Sequence, residues 1–123
     1  MVTIQSFTGL MAWQESHKLV LAIYKATEAF PKSEQFGLTL QLRRAAVSIS
    51  SNIAEGFSKL SPKEKLQFYR TALASLTEVQ NQILIARDIR SIQPDQFKST
   101  ADQTVMVSKL INGLLKSIKT RTP

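Results

Sequence analysis

Apolar residues recur at alternating intervals of three and four along almost the whole chain, a spacing that places their side chains on one face of an α-helix. The clearest such stripe consists of Leu38, Leu42, Ala45, Ile49 and Ile53. The period-two alternation typical of a half-buried β-strand is nearly absent. The pattern predicts four helices, at about residues 10–29, 35–56, 62–89 and 94–119. Residues 1–8 and 120–123 are predicted to be tails.

Local signals support these boundaries. Pro31 ends the first helix, because proline disfavours helical geometry in the residue before it. Ser61, Pro62 and Glu64 form a capping-box pattern at the start of the third helix. Gly56 is expected to be the C-terminal cap of the second helix. Four helices joined by short connections predict one domain, residues 1–123, with an all-α, up-down-up-down antiparallel four-helix bundle.

A polar stripe runs beside the apolar stripe of the second helix. Its members, which project within an arc of roughly 80°, are Gln41, Arg44, Ser48, Asn52 and Glu55. Polar groups next to a core are costly unless they are paired, so we predict a polar network here. Arg44 and Glu55 have two interpretations: a contact with another subunit or ligand, or a satisfied ion-pair network with neighbouring helices. The second is favoured because buried charges are normally paired.

The chain carries more apolar surface than one bundle core requires. Leu40, Val47 and Ala54 form a heptad on the side of the second helix away from its core stripe. The third helix carries two adjoining apolar seams, although one core needs only one. We therefore predict that the surplus covers a subunit interface in a homo-oligomer. The predicted interface residues are Leu40, Val47, Ala54, Phe68, Ala72 and Val79.

The chain is basic, with sixteen Lys and Arg against nine Asp and Glu, a formal net charge of +7. This balance permits binding to polyanions such as nucleic acid. Residues 103–123 contain Lys109, Lys116, Lys119 and Arg121 and no acidic residue. The alternative is a solvated helix face, favoured near the C-terminus by the helix dipole. The candidate phosphate-binding residues, several of them spaced by seven, are Lys18, Lys25, Lys32, Arg43, Lys63, Arg70, Lys116 and Lys119.

The sequence offers little for catalysis. His17 is the only histidine, and it falls on the predicted core-facing arc of the first helix, which favours a packed side chain over a general base. The chain has no cysteine, no phosphate-binding glycine loop and no Glu-x-x-His pair. We predict no catalytic residue, cofactor or metal. No apolar run approaches the roughly 20 residues that span a membrane, and no charged residue precedes Glu15, so a secretory leader is not indicated. A cytoplasmic protein without a membrane partner is expected.

The segments Arg43-Arg44-Ala45-Ala46, Asn52-Ile53-Ala54-Glu55-Gly56 and Phe68-Tyr69 resemble a bacterial family of four-helix-bundle proteins. Some of its members are encoded by intervening sequences within 23S ribosomal RNA genes. The resemblance covers roughly residues 7–115 and implies a ring-like homopentamer. It also implies similarity to the accessory variability determinant proteins of diversity-generating retroelements, which bind nucleic acid and a reverse transcriptase.

From the residues and the resemblance together, we predict a non-enzymatic homo-oligomer that associates through phosphates with nucleic acid, with RNA favoured over DNA. The reverse-transcriptase partner is an analogy only. The alternative is a protein–protein scaffold whose charge aids its solubility.

Overall fold

The computed structural model describes residue 4 and residues 6–121, and all regular structure within that part of the chain is helical. The prediction of an all-α chain with four helices is confirmed. The helices are α1 Met11–Thr27, α2 Leu38–Ser58, α3 Pro62–Asp88 and α4 Pro94–Arg121, with short 3₁₀ segments at Phe7–Gly9 and Lys32–Glu34. Residues 1–3, 5, 122 and 123 of the predicted tails lie outside the described residues.

The four helices are antiparallel and surround one core. Each helix packs against its neighbours in the chain, and α4 closes onto α1. Gln41 of α2 contacts Gln82 of α3, and Ser48, seven residues later on α2, contacts Ser75, seven residues earlier on α3. The two helices therefore run in opposite directions. The same reversal relates the remaining neighbours through the contacts Gln80–Thr104, Arg87–Phe97, Glu15–Gln103 and Arg43–Thr27.

Aliphatic side chains from all four helices fill the core. The predicted stripe of α2 is buried throughout, and Leu42, Ile49 and Ile53 are fully inaccessible. Burial of one such side chain contributes about 1.5–3 kcal/mol. The other fully buried aliphatic residues are Leu19, Ile23, Leu76, Val79, Ile83, Val107 and Ile111.

The second apolar seam of α3 belongs to this core. Ala72 and Val79 have no exposed surface within the subunit, and Ala86 of the same seam is equally buried. The prediction that Ala72 and Val79 cover a neighbouring subunit is therefore wrong. The reason is geometric: α3 packs against both α2 and α4, so a wide apolar arc is needed to cover both neighbours.

Gly56 permits the close packing of α2 and α3. The helix continues past it to Ser58, so the predicted C-terminal cap at Gly56 is wrong. A Cβ atom at this position would lie 2.7 Å from Cε1 of Tyr69. The Lys65 ammonium instead covers the end of α2, donating to the carbonyl oxygens of Gly56 at 3.3 Å and Phe57 at 2.8 Å.

The start of α2 is set by Glu34, whose carboxylate accepts the N–H of Leu38 at 3.1 Å. The predicted start at residue 35 is three residues early, because residues 35–37 form a turn between the 3₁₀ segment Lys32–Glu34 and the helix. At the start of α3 the Ser61 hydroxyl accepts the N–H of Glu64 at 3.4 Å, as the capping pattern predicts.

Gly56 and Gly113 are expected to respond in opposite ways to alanine. Gly113 lies inside α4, and a Cβ there would meet nothing within 4 Å. Gly113→Ala should raise the free energy of unfolding by about 0.5–1 kcal/mol, because alanine restricts the unfolded chain. Gly56→Ala should lower it by about 1–3 kcal/mol, because the methyl group overlaps the Tyr69 ring. Urea denaturation followed by circular dichroism measures both, and a Gly56→Ala protein as stable as the parent would contradict the close-packing account.

Candidate functional site

Two rows of basic residues converge on one side of the bundle. Leu84 of α3 and Val105 of α4 line the same groove between these helices. Steps of seven residues return to nearly the same face of a helix, with a drift of about 20° each. On α3, Arg70 and Lys63 precede Leu84 by two and three such steps, so they lie on nearly the same face of the helix. On α4, Lys119 follows Val105 by two such steps. Because α3 and α4 are antiparallel, both series run toward the same end of the bundle.

We name this surface the basic face, and its cations are Lys63, Arg70, Lys109, Lys116 and Lys119, all of them exposed. Lys109 and Lys116 follow Val105 by four and eleven residues, which places them within about 40° of it around α4. No ion pair involving these five side chains is present among the described residues. The only acidic residue between 63 and 77 is Glu64, and α4 has none after Asp102. The positive charge of the basic face is therefore uncompensated locally.

Small polar side chains separate the cations on α3. Lys63 and Arg70 line an open depression together with Gln67, Thr71 and Ala74. Amide and hydroxyl groups of this kind donate hydrogen bonds to phosphate oxygens, as the cations also do. The surface thus offers charge and hydrogen bonds without a deep pocket.

The predicted cations of α1 have acidic neighbours. The Lys18 ammonium lies 3.3 Å from a carboxylate oxygen of Glu15. Lys25 borders the same depression as Asp95, and Lys32 borders a pocket with Glu28. Nearby carboxylates reduce the positive potential of this row, so α1 is a weaker phosphate-binding surface than the basic face.

Arg43 holds α2 against the end of α1. Its Nε donates to the Thr27 hydroxyl at 2.9 Å, and its guanidinium carbon lies 4.6 Å from the centre of the Tyr24 ring. A further N–H donates to the carbonyl oxygen of Tyr24 at 3.4 Å. Arg43 is half-buried, and these contacts pack α2 against α1, while its role as a phosphate-binding residue stays a prediction.

The uncharged members of the polar stripe form a network between α2 and α3. The hydroxyls of Ser48 and Ser75 are 2.8 Å apart, and the Asn52 amide donates to the carbonyl oxygen of Ser48 at 2.8 Å. Gln82 donates to the Oε1 of Gln41 at 3.5 Å, while its own Oε1 is buried without a hydrogen-bond partner in the described part of the chain. The stripe was correctly placed beside the core.

The charged members of that stripe behave differently. Arg44 and Glu55 are exposed, and neither side chain takes part in an ion pair within the part of the chain that the structure describes. The predicted buried ion-pair network is therefore wrong. The physical reason is angular: both side chains project farther from the centre of the core stripe than Ser48 and Asn52 do.

An aromatic and apolar surface covers the side formed by α1 and α2. Trp13 stacks on His17 with ring centres 4.9 Å apart, and Phe7 lies 5.3 Å from Trp13. His17 is exposed, so its predicted place on the core-facing arc is wrong, because the centre of that arc follows the neighbouring stripe through Leu19. Val47 is 40% exposed on the same side of the bundle.

The other predicted interface residues keep some exposed surface. Leu40, Ala54 and Phe68 are half-buried within the subunit. Leu40, Val47 and Ala54 keep their heptad on the outward side of α2, and Phe68 lies on α3 beside Gly56. These four residues can still contact another subunit.

Lys109 lies on the basic face but is not among the phosphate-binding residues predicted from the sequence. Two signals were available: residues 103–123 contain no acidic residue, and Lys109 precedes Lys116 by seven residues. No described helix has the length and apolar character needed to cross a membrane. Within the same part of the chain, no three acidic or histidine side chains come together as a metal-binding group.

Comparison with known proteins places the fold in a family. A crystal structure of a protein of unknown function from the S23 ribosomal protein family of Bacteroides thetaiotaomicron VPI-5482 superimposes with a TM-score of 0.76. The two sequences are 20% identical over 85% of this chain and 95% of the other, so this likeness concerns the fold alone. No curated protein matches the chain. The sequence profile described as 23S rRNA-intervening sequence protein matches residues 8–113. The chain therefore belongs to the 23S rRNA-intervening sequence protein family.

Proposed function

We propose that this protein is a non-enzymatic homo-oligomer that binds nucleic acid, with RNA favoured over DNA, through phosphate contacts on its basic face. One observation carries the proposal: five exposed cations from two antiparallel helices gather on one surface without an ion-pair partner among the described residues. The name of the family, which refers to an intervening sequence of 23S rRNA, supports RNA as the ligand.

The chemistry of the basic face favours recognition of the backbone over recognition of bases. Lys and Arg bind phosphates mainly through charge, and each neutralised phosphate releases counterions, so the affinity falls as salt is added. Gln67, between Lys63 and Arg70, adds an amide that can donate a hydrogen bond to a backbone and position it. Binding should accordingly depend little on sequence.

The absence of an enzymatic activity is part of the proposal. His17 is the one histidine, and its ring stacks on Trp13. General acid–base or nucleophilic catalysis needs a base within hydrogen-bond reach of a nucleophile. His17 makes no such bond with the residues that the structure describes.

Self-assembly would use the apolar side of the bundle. Leu40, Val47 and Ala54 face outward on α2, and Tyr24 and Phe57 add further exposed aromatic surface. This side lies opposite the helix pair that carries the basic face, so assembly through it would leave the cations free. A closed homopentamer is the assembly that the family resemblance implies, and a reverse-transcriptase partner is proposed only by analogy.

A protein–protein scaffold is the second candidate. Leu60, between α2 and α3, is 97% exposed, and Phe36, between α1 and α2, is 83% exposed. Large apolar side chains presented at loops are suited to contacts with another protein. In that case the charge would serve only to keep the protein in solution.

Neutralising the basic face is expected to weaken RNA binding more than neutralising α1. The test protein carries Lys63→Gln, Arg70→Gln and Lys116→Gln, and the matched control carries Lys18→Gln, Lys25→Gln and Lys32→Gln. Filter binding across a salt series should show the slope of log K against log salt reduced by about 2 in the test protein, at about 0.7–0.9 per lost phosphate contact. The control should change the slope by less than about 1. Equal losses in both proteins would contradict a localised site, and no retention by the parent protein at low salt would remove the nucleic-acid proposal.

Val47→Glu is expected to break the assembly while leaving the subunit folded. Val47 is 40% exposed, so a carboxylate there remains hydrated in a lone subunit but would be desolvated at a subunit interface. Ala72→Glu is the contrasting variant, because it places a charge in the core and should unfold the helices. Sedimentation gives the mass and circular dichroism the helicity. A Val47→Glu protein with the parent's mass would place the interface elsewhere, and a parent protein that sediments as one chain would end the oligomer proposal.

A further inference from the structure

None of the nine aromatic residues of the chain lies on the basic face, and we infer from this that the face binds double-stranded nucleic acid in preference to single strands. The inference rests on the proposed function and specifies its ligand. The shared chemistry is that of two antiparallel phosphate backbones, which duplex RNA and duplex DNA both supply.

Single strands are usually bound by stacking their bases on aromatic side chains within a basic groove. The chain has six Phe, two Tyr and one Trp. Phe30 and Tyr69 are buried in the core. The other seven lie elsewhere on the subunit. Phe36 lies in a loop, Phe68 lies beside Gly56, and Phe97 lies at the opposite end of the α3–α4 groove. The remaining four, on the α1–α2 side, are Phe7, Trp13, Tyr24 and Phe57. The basic face thus offers cations, amides and hydroxyls but no surface on which a base can stack.

The cations form two rows. A duplex has two phosphate backbones and can contact both rows, whereas a single strand has one. Lys63 and Arg70 are one heptad apart on α3, and Lys109 and Lys116 are one heptad apart on α4, so each row extends about 10 Å along its helix. Packed helices lie about 8–10 Å apart. In B-form DNA the two strands are about 6 Å apart across the minor groove and about 12 Å apart across the major groove. Long lysine side chains can make up the difference between these widths and the distance between the two helices.

The number of charges agrees with this geometry. A duplex presents one negative charge for about every 1.7 Å of its axis, which gives roughly six phosphates over a length of 10 Å. Over this length the two rows present four cations, Lys63, Arg70, Lys109 and Lys116, which is more than the phosphates of one strand can pair. One strand alone would offer roughly half as many phosphates over the same length.

The test compares four ligands of one sequence without self-complementarity: duplex RNA, duplex DNA and the single strand of each, about two helical turns long. Fluorescence anisotropy at fixed moderate salt measures the affinity of the full chain. The duplexes should bind about tenfold or more tightly than the single strands. The Lys63→Gln, Arg70→Gln, Lys116→Gln protein should lose this difference, and the α1 control triple should keep it. Equal affinity for the two duplexes supports recognition of phosphates alone, whereas tighter binding of duplex RNA supports added contacts to the 2′-hydroxyl.

A second variant tests the aromatic argument directly. Gln67→Trp places a stacking surface between Lys63 and Arg70 at an exposed position. Single-strand affinity should rise about tenfold, at the usual strength of base–aromatic stacking, whereas duplex affinity should fall slightly because the Gln67 amide is lost. Single strands that bind the parent protein as tightly as duplexes would overturn the duplex preference and leave the proposed function in place. Failure of all four ligands to bind would overturn the proposed function itself.

Discussion

The simultaneous packing of α3 against α2 and α4 is the constraint on which the other features of the molecule depend. The buried arc of α3 extends from Tyr69 to Ala86 and includes both of its apolar seams. Because the arc is occupied on both sides, the rotation of α3 about its axis is determined, and Lys63 and Arg70 must face solvent. The antiparallel contact with α4 then brings Lys116 to the same end of the same surface.

The arrangement separates apolar surface from charged surface. Val47 and its neighbours lie on the α1–α2 side, while the uncompensated cations lie on the α3–α4 side. The separation matters physically, because burying a cation in a subunit interface carries a large desolvation cost. Assembly through the apolar side would multiply the positive charge without burying it, and repeated charge increases the attraction for a polyanion.

Some features of the site could be predicted from spacing, and others required distances between helices. The stripe of Ser48 and Asn52 was correctly placed beside the core, because angular position on a helix follows from residue number. Arg44 and Glu55 were expected to be buried but are exposed. A difference of a few tens of degrees around the helix axis decides whether a long side chain reaches water. Gly56 was taken for a cap, since nothing in its own segment indicates that the Tyr69 ring will lie against it.

The sequence by itself determined the four helices, the capped start of α3 and the apolar stripe of α2, because these depend on periodicity and on groups only a few residues apart. Only the tertiary structure decided that Ala72 and Val79 belong to the core and that Arg43 holds two helices together. It alone joined the cations of α3 and α4 into one surface. Those outcomes depend on which helices are neighbours and how each is rotated, and residues on different helices, sixteen or more positions apart, carry no local signal of either.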